Sequence, residues 1–202
     1  MNLTHFDLLA QTAARVHAET NHHYGGYLPY EFHLRLTASF ASRYMYCLEV
    51  DEATEETIVA AALFHDAIED ARLTYNDLKK LLTRLRDEHN LLLDATAAAE
   101  IVYALTNDKG RTRAERAGAA YYAGIRQTPW APYVKMCDRL ANMTFSTLWH
   151  PVQRMAHVYA EEMPHFLEEI GEVPQPMIDE ALRLCHPAKK KKKKTCQREV
   201  VF

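Results

Sequence analysis

The chain has no run of about 18 consecutive apolar residues, so a membrane-crossing helix is not expected. It has no CxxC: its four cysteines, Cys47, Cys137, Cys185 and Cys196, are scattered. That argues against a disulfide framework or a zinc ribbon, and for reduced thiols in a cytoplasmic protein. The opening residues Met1-Asn2-Leu3-Thr4-His5-Phe6-Asp7 have neither the basic cluster nor the apolar core expected of a secretory signal. No β-alternating run of useful length occurs, and no internal repeat. Positive charge is scarce where the fold should be. Seven of the 24 basic residues and one of the 27 acidic ones fall from Lys189 onward, leaving residues 1–188 with 17 basic against 26 acidic side chains, formally −9. A body that acidic is a poor partner for duplex nucleic acid. Any polyanionic substrate has to be met by a local basic patch or by a metal.

What remains reads as one helical domain. A chain of 202 residues, 48% hydrophobic and 25% charged, can bury one sizeable core. Helical spacing predicts a helix over Phe6 to Thr20, capped by Thr4 or Asp7, then a loop from Asn21 to Leu28 around Gly25-Gly26. Pro29 opens a second helix to about Tyr46. Thr54 opens a third that ends near Asp70. Thr74 with Asp77 resembles a capping box opening Tyr75 to Asp87. Further helices are expected over Leu91–Leu105, over Arg113–Arg126 behind a Thr112 cap, from Pro129 and Pro132 through Leu148, from Pro151, and after Pro174-Gln175-Pro176. The predicted class is all-α, a helical bundle over residues 1–187. Residues 188–202, with six consecutive lysines from Lys189 to Lys194, read as a self-repelling disordered tail without a part in the chemistry.

The most informative stretch is Leu63-Phe64-His65-Asp66-Ala67-Ile68-Glu69-Asp70. It follows the apolar run Thr57-Ile58-Val59-Ala60-Ala61-Ala62, which is fit to be a buried helix. Ionised groups at the end of such a helix cost several kcal/mol unless compensated, and a metal ion accepts carboxylates and neutral imidazoles together. A second apolar helix, Val134-Lys135-Met136-Cys137-Asp138-Arg139-Leu140-Ala141-Asn142-Met143, carries an acid and an amide at i, i+4. His33 sits inside the apolar helix Phe32 to Phe40. Taken alone, His33 would read as a core histidine and Glu69-Asp70 as an acidic helix end. Together, His33, His65, Asp66 and Asp138 make a two-imidazole, two-carboxylate set that suits Mn, Fe, Co or Zn better than Mg or Ca.

These segments resemble the HD metal-dependent phosphohydrolases, and more narrowly the hydrolase domain of RelA/SpoT-type alarmone enzymes and their small stand-alone relatives. The resemblance runs from about Tyr24 to Met143. Pro29-Tyr30-Glu31-Phe32-His33 is similar to the family's "PY..H". Ala62 to Asp70 is similar to "ALLHDxxED", Ala104-Leu105-Thr106-Asn107-Asp108-Lys109 to "xVTxDK", and Val134 to Met143 to "VKLADRLxNM". The resemblance implies an HD-domain bundle with His33, His65, Asp66 and Asp138 as ligands of a manganese-type ion. It implies Glu69 and Asp70 as the catalytic pair and Asn142 as a nucleotide contact. Lys135 and Arg139 are kept, with Lys135 expected nearer the site. It also implies removal of the 3'-diphosphate of (p)ppGpp, the nucleotide of the stringent response, as GDP or GTP plus pyrophosphate. One departure stands out: the family's basic pair before "PY", one member of which stacks on guanine, has no counterpart, because no Arg or Lys lies between Val16 and Arg35. Tyr24 and Tyr27 are the candidates for stacking there.

Lys135 with one or more of Arg111, Arg113 and Arg116 is expected to neutralise the diphosphate, although the three arginines read equally well as a solvated face. His22 and His23 are expected on an exposed helix end or loop. His150, His157 and His165 should share one helix face in a structural or solvated role. Cys137 should be a small packing residue, and Tyr44, Tyr46, Tyr121 and Tyr122 core or interface. The partner expected is a small nucleotide, with no duplex nucleic acid and no membrane; the oligomeric state is open. Two alternatives stand beside the alarmone reading: an HD phosphohydrolase for another nucleotide or cofactor, and a nucleotide-binding regulator that keeps the metal without turnover. The intact Glu69-Asp70 pair argues against the second.

Overall fold

The computed structural model describes residues 1–20, 23–107, 111–149 and 153–186, without the side chains of residues 113, 114, 148, 149 and 153. Helix α1, Leu3–Ala18, begins at Asn2, whose side chain accepts a hydrogen bond from the Thr4 amide. Thr4 and Asp7, the expected caps, lie inside it. A two-residue antiparallel pair, β1 (His23–Tyr24) and β2 (Leu28–Pro29), closes over Gly25 and Gly26, both at positive φ. A Cβ on Gly25 would fall 2.6 Å from the Phe145 ring, so glycine is what lets this turn lie against an aromatic cluster. Helix α2, Glu31–Tyr44, runs into a 3-10 turn at Met45–Cys47.

Helix α3, Glu52–Phe64, starts from Asp51, whose carboxylate accepts from the Thr54 amide. It ends at Phe64 rather than near Asp70. Residues 65–70 turn back on themselves, with the Ala67 amide on the Phe64 carbonyl at 2.8 Å and the Asp70 amide on the Asp66 carbonyl at 2.8 Å. Helix α4, Tyr75–His89, has the expected Thr74–Asp77 capping box, with both reciprocal hydrogen bonds present. Helix α5, Ala95–Leu105, is capped by Asp94.

The single helix expected over Arg113–Arg126 is two: α6 (Arg113–Arg116) and α7 (Ala119–Gln127). Gly118 takes an extended conformation as the N-cap of α7, which breaks the run. Helix α8, Ala131–Thr144, has Pro132 in its first turn and gives way to a π-helical turn at Phe145–Trp149. Helices α9 (Gln153–Glu169) and α10 (Gln175–Cys185) complete the described chain. The class is all-α, as expected.

Helix α3 is buried on every side from Glu56 to Phe64, the mark of a central helix. Helices α1, α2, α5 and α8 pack around it, α2 also lies along α8, and α4 covers α5. Each fully buried Leu, Ile or Phe of this core contributes about 1.5–3 kcal/mol. The consequence for function is positional. The first turn of α2, the end of α3 and the middle of α8 meet, and each delivers polar side chains into otherwise apolar packing. Among the described residues no helix is long and apolar enough to cross a membrane. His22, Asp108, Lys109, His150 and the tail lie outside the described residues.

Candidate metal centre

Three segments supply the centre. His33 comes from the first turn of α2 and is buried. His65 and Asp66 come from the turn that ends α3, which stops the helix with both side chains directed sideways toward α2 and α8. Asp138 comes from the middle of α8. His33, His65 and Asp138 offer ligand atoms all within 4.8 Å of one another. The two imidazole Nε2 atoms are 3.1 Å apart. Asp138 Oδ1 lies 3.3 Å from His33 Nε2 and 3.6 Å from His65 Nε2. Asp66 Oδ2 lies 2.9 Å from His65 Nε2 and 3.6 Å from His33 Nε2. An ion with bonds of about 2.0–2.3 Å sets neighbouring ligand atoms about 2.8–3.8 Å apart at octahedral or tetrahedral angles. The three separations among His33, His65 and Asp138 fall in that window, as do those from Asp66 to the two imidazoles, but Asp66 stands outside the group whose ligand atoms all lie within 4.8 Å of one another.

The hydrogen-bonding pattern fits the same purpose. His65 Nδ1 is 2.8 Å from the Ala62 carbonyl. A carbonyl only accepts, so Nδ1 carries the proton and the neutral ring turns its Nε2 lone pair to the centre, the tautomer a metal requires. Asp138 is held by two neighbours on its own helix, accepting from Lys135 Nζ at 2.9 Å and from Asn142 Nδ2 at 2.6 Å. Asp66 accepts from the Tyr30 hydroxyl at 2.5 Å. The buried donors are therefore two imidazoles and the Asp138 carboxylate, with Asp66 beside the imidazoles and Lys135 beside Asp138. A buried His33–His65–Asp138 group of this kind can hold a divalent metal.

Without an ion the protons are held tightly. Burial drives the His65 imidazole down, but Asp66 and Asp138 more than reverse this and push it up to about 10. Burial likewise opposes charge on His33, and hydrogen bonds to Asp138 and Asp66 raise it in spite of that. Burial would raise both carboxyls; Lys135 and the imidazoles hold Asp138 well below the usual range, and His65 with His33 does the same for Asp66. Burial opposes the charge on Lys135 as well, and Asp138 outweighs it, so the ammonium stays charged. Burial, then Asp66 and Asp70, push the Tyr30 hydroxyl far up, which keeps it a neutral donor.

The centre opens on a cleft of about 440 Å³ whose lining includes Tyr30, His33, Asp66, Glu69, Asp70, Lys135, Asp138 and Asn142, together with Tyr121, Tyr122, Arg139, Tyr159, Glu162 and Phe166. That volume is in the range of small-molecule sites, about 300–1,000 Å³. Asp70 lies 3.2 Å from the Tyr30 hydroxyl. Glu69 is clasped by Asn107, whose side-chain amide sits 2.9 and 3.0 Å from the two carboxylate oxygens.

Several expectations need correction. Tyr24 is not available to stack on a base. Its ring lies flat on His33 at 4.7 Å and against Phe145 at 4.4 Å, and its hydroxyl donates to Asn142 Oδ1 at 2.9 Å. It supports a ligand and aims an amide. Tyr27 is exposed, at 56%, and like Tyr24 does not line the cleft. Arg116 lines the cleft and Arg111 does not; the side chain of Arg113 lies outside the described residues. His165 and His157 are both exposed, as a solvated role requires, and His165 also borders the cleft. Tyr30, Asn107 and the α9 wall escaped the sequence reading. Tyr30 was within reach as the neighbour of Pro29 in the matched motif. The α9 residues carry no motif at all. No protein-family model matches this chain, and no curated protein matches it.

Proposed function

We propose that this protein is a metal-dependent phosphohydrolase that removes the 3'-diphosphate of a (p)ppGpp-type nucleotide, yielding the nucleoside 5'-di- or triphosphate and pyrophosphate. The observation that carries the reading is the convergence of His33, His65 and Asp138, with Asp66 beside the two imidazoles, next to a cleft that also holds Glu69 and Asp70. Manganese is the ion proposed, on the resemblance of the four motifs and on the mixed imidazole–carboxylate donors. Such an ion supplies Lewis-acid polarisation of a phosphoryl oxygen and acidifies water.

The chain's own groups do the rest. Asp70, beside the Tyr30 hydroxyl, orients the attacking water and takes its proton. Glu69, fixed by Asn107, stands at the cleft mouth to position that water or to return a proton to the leaving oxygen. Lys135 keeps the centre from accumulating negative charge and meets the phosphoryl oxygens as charge develops. Asn142, held between Tyr24 and Asp138, presents an oriented amide edge to the nucleotide.

A second reading has its own support. The family's guanine-stacking cation has no counterpart between Val16 and Arg35, and neither Tyr24 nor Tyr27 lines the cleft. An HD phosphohydrolase for a different nucleotide or cofactor accommodates that better. One panel separates the two: the manganese-loaded protein is given guanosine and adenosine 3'-diphosphates, nucleoside mono- and triphosphates and dinucleotide cofactors, and released phosphate and pyrophosphate are measured. Pyrophosphate from the 3'-diphosphates supports the first reading. Phosphate or pyrophosphate from the other nucleotides alone supports the second, and no turnover of any member refutes both.

A further inference from the structure

Tyr30 lines a second cavity besides the cleft, of about 350 Å³. That volume is again in the range of small-molecule sites, about 300–1,000 Å³. Helix α1 contributes Arg15 and His17 to its wall, and the β1–β2 pair contributes His23 and Pro29, which are partners across the two strands. The charge of this cavity runs against that of the protein body, formally −9. Three nitrogen-bearing side chains meet one carboxylate, Glu31, which already accepts from Arg35 Nε at 2.6 Å. Among the described residues, the one hydrogen bond of the exposed Arg15 goes to a neutral acceptor, the Thr12 hydroxyl, at 3.1 Å. A guanidinium carries five N–H donors, so most of the fork remains for a ligand. His17 is buried and stacks on the Tyr30 ring at 4.7 Å.

We propose that this second cavity binds a small phosphate-bearing effector through Arg15, His17 and His23, and that its occupancy raises turnover in the cleft through Tyr30. A guanidinium fork takes two phosphate oxygens, and each imidazole offers an N–H to another. A phosphate has oxygens for all three side chains, whereas a carboxylate has only two. Two tyrosines carry the effect to the metal. Tyr30, resting on His17, donates its hydroxyl to Asp66 at 2.5 Å and lies 3.2 Å from Asp70. Tyr24 follows His23 in β1, stacks on His33 at 4.7 Å and donates to Asn142 at 2.9 Å. A ligand shared between α1 and the β1–β2 pair favours the arrangement in which both tyrosines are in place, because only that arrangement completes the phosphate cradle. The binding stands apart from the phosphohydrolase reading, whereas the effect on turnover rests on it.

Calorimetric titration of the manganese-loaded full chain reads the binding without turnover. Inorganic phosphate and ribose 5-phosphate are the probes, one for a free and one for an organic source, and the tighter of the two names the source. Neither Arg15 nor His23 lines the cleft, so Arg15→Gln reports on the second cavity alone. Its Kd for the tighter probe should weaken about tenfold or more, as for a lost charge-assisted hydrogen bond; an isotherm unchanged from wild type overturns the site. Acetate should bind at least about tenfold more weakly than phosphate, and equal affinity overturns the phosphate assignment. Turnover is then measured at saturating nucleotide, so that competition in the cleft does not enter. The tighter probe should raise kcat about fivefold or more, the lower end of coupling between sites. Arg15→Gln should keep the basal kcat and lose the rise, and in Tyr30→Phe the rise should shrink to about one. Binding that leaves the wild-type kcat unchanged overturns the coupling. If no nucleotide is cleaved, the phosphohydrolase reading falls, and the titration still decides whether the cavity binds phosphate.

Discussion

Asp138 is the hinge of the centre's electrostatics, and Asp138→Asn tests that role without changing its shape. The carboxylate faces two imidazoles and accepts from Lys135 and Asn142. The amide removes the negative charge and leaves Lys135, whose side chain is 16% exposed, as a cation without its counterion. Breaking a buried ion pair on one side typically costs about 3–5 kcal/mol. Some of that is returned here, because Asp138 and Asp66 repel one another and the substitution relieves it. A net loss of about 2 kcal/mol or more is expected, and for a chain of this size that lowers Tm by roughly 4–8 °C. The measurement is made with chelator present, so that metal binding does not enter. Lys135→Met in the same background supplies the control. If the stranded ammonium is the cause, the double variant melts above Asp138→Asn alone, with a coupling of about 0.5–3 kcal/mol. Metal content measured without chelator should fall with Asp138→Asn as well. Equal melting of wild type and Asp138→Asn in chelator, with undiminished metal content, would refute the account of both the ion pair and the centre.

Glu69→Ala and Asp70→Ala should keep the wild-type metal content and lose roughly 10²–10⁴ in turnover, the range for a positioned acid or base; wild-type rates in both would remove them from the reaction. Manganese loading near pH 8 should release protons, since the metal-free protein holds His65 protonated up to about pH 10 and the ion needs the neutral ring. Calorimetry in buffers of different ionisation enthalpy reads the number, and a heat independent of buffer contradicts it. The sign for folding follows from the same raised value: in the metal-free chain the His65 contribution is complete below the unfolded pKa of about 6.5 and is lost as pH rises through about 10, so Tm with chelator should fall across that interval. Tyr30→Phe removes the hydroxyl that reaches both Asp66 and Asp70; kcat should drop by roughly tenfold to a hundredfold, as for a hydrogen bond to a charged group, with KM changed less, and an unaltered kcat would show the bridge to be incidental.

The residues of the buried histidine–aspartate cluster were legible because most of them stand in short local patterns that chemistry constrains. His65 and Asp66 are adjacent at the end of an apolar run, and Asp138 and Asn142 are one helical turn apart on another. Helix starts were legible where a side chain caps its own backbone, as at Thr74 with Asp77. Helix ends were harder. Residues 65–70 keep helix-compatible residues throughout, and the run 113–126 is interrupted only by Gly118 and Gly124. Helix α3 gives way at Phe64 to a turn that brings His65 and Asp66 to His33 and His65 to Asp138, and what splits the later run is the extended conformation of Gly118.

Tyr24 shows where sequence reading misleads in kind. An aromatic beside a glycine pair, in the place of a lost cation, reads as a surface for a base. The ring instead spends both faces inside the protein, on His33 and Phe145, and its hydroxyl on Asn142, a partner 118 positions away. Nothing local encodes a contact of that separation. The α9 wall is hidden for the same reason: Tyr159, Glu162 and Phe166 gain a role only when α9 closes against α8 and meets Arg139. The two halves of the cleft therefore have different origins in the chain. The metal half is written in contiguous motifs, whereas the opposite half is assembled from residues scattered along the chain. Substitutions in the first half should act on whether a phosphoester is cleaved, and substitutions on α9 on which one.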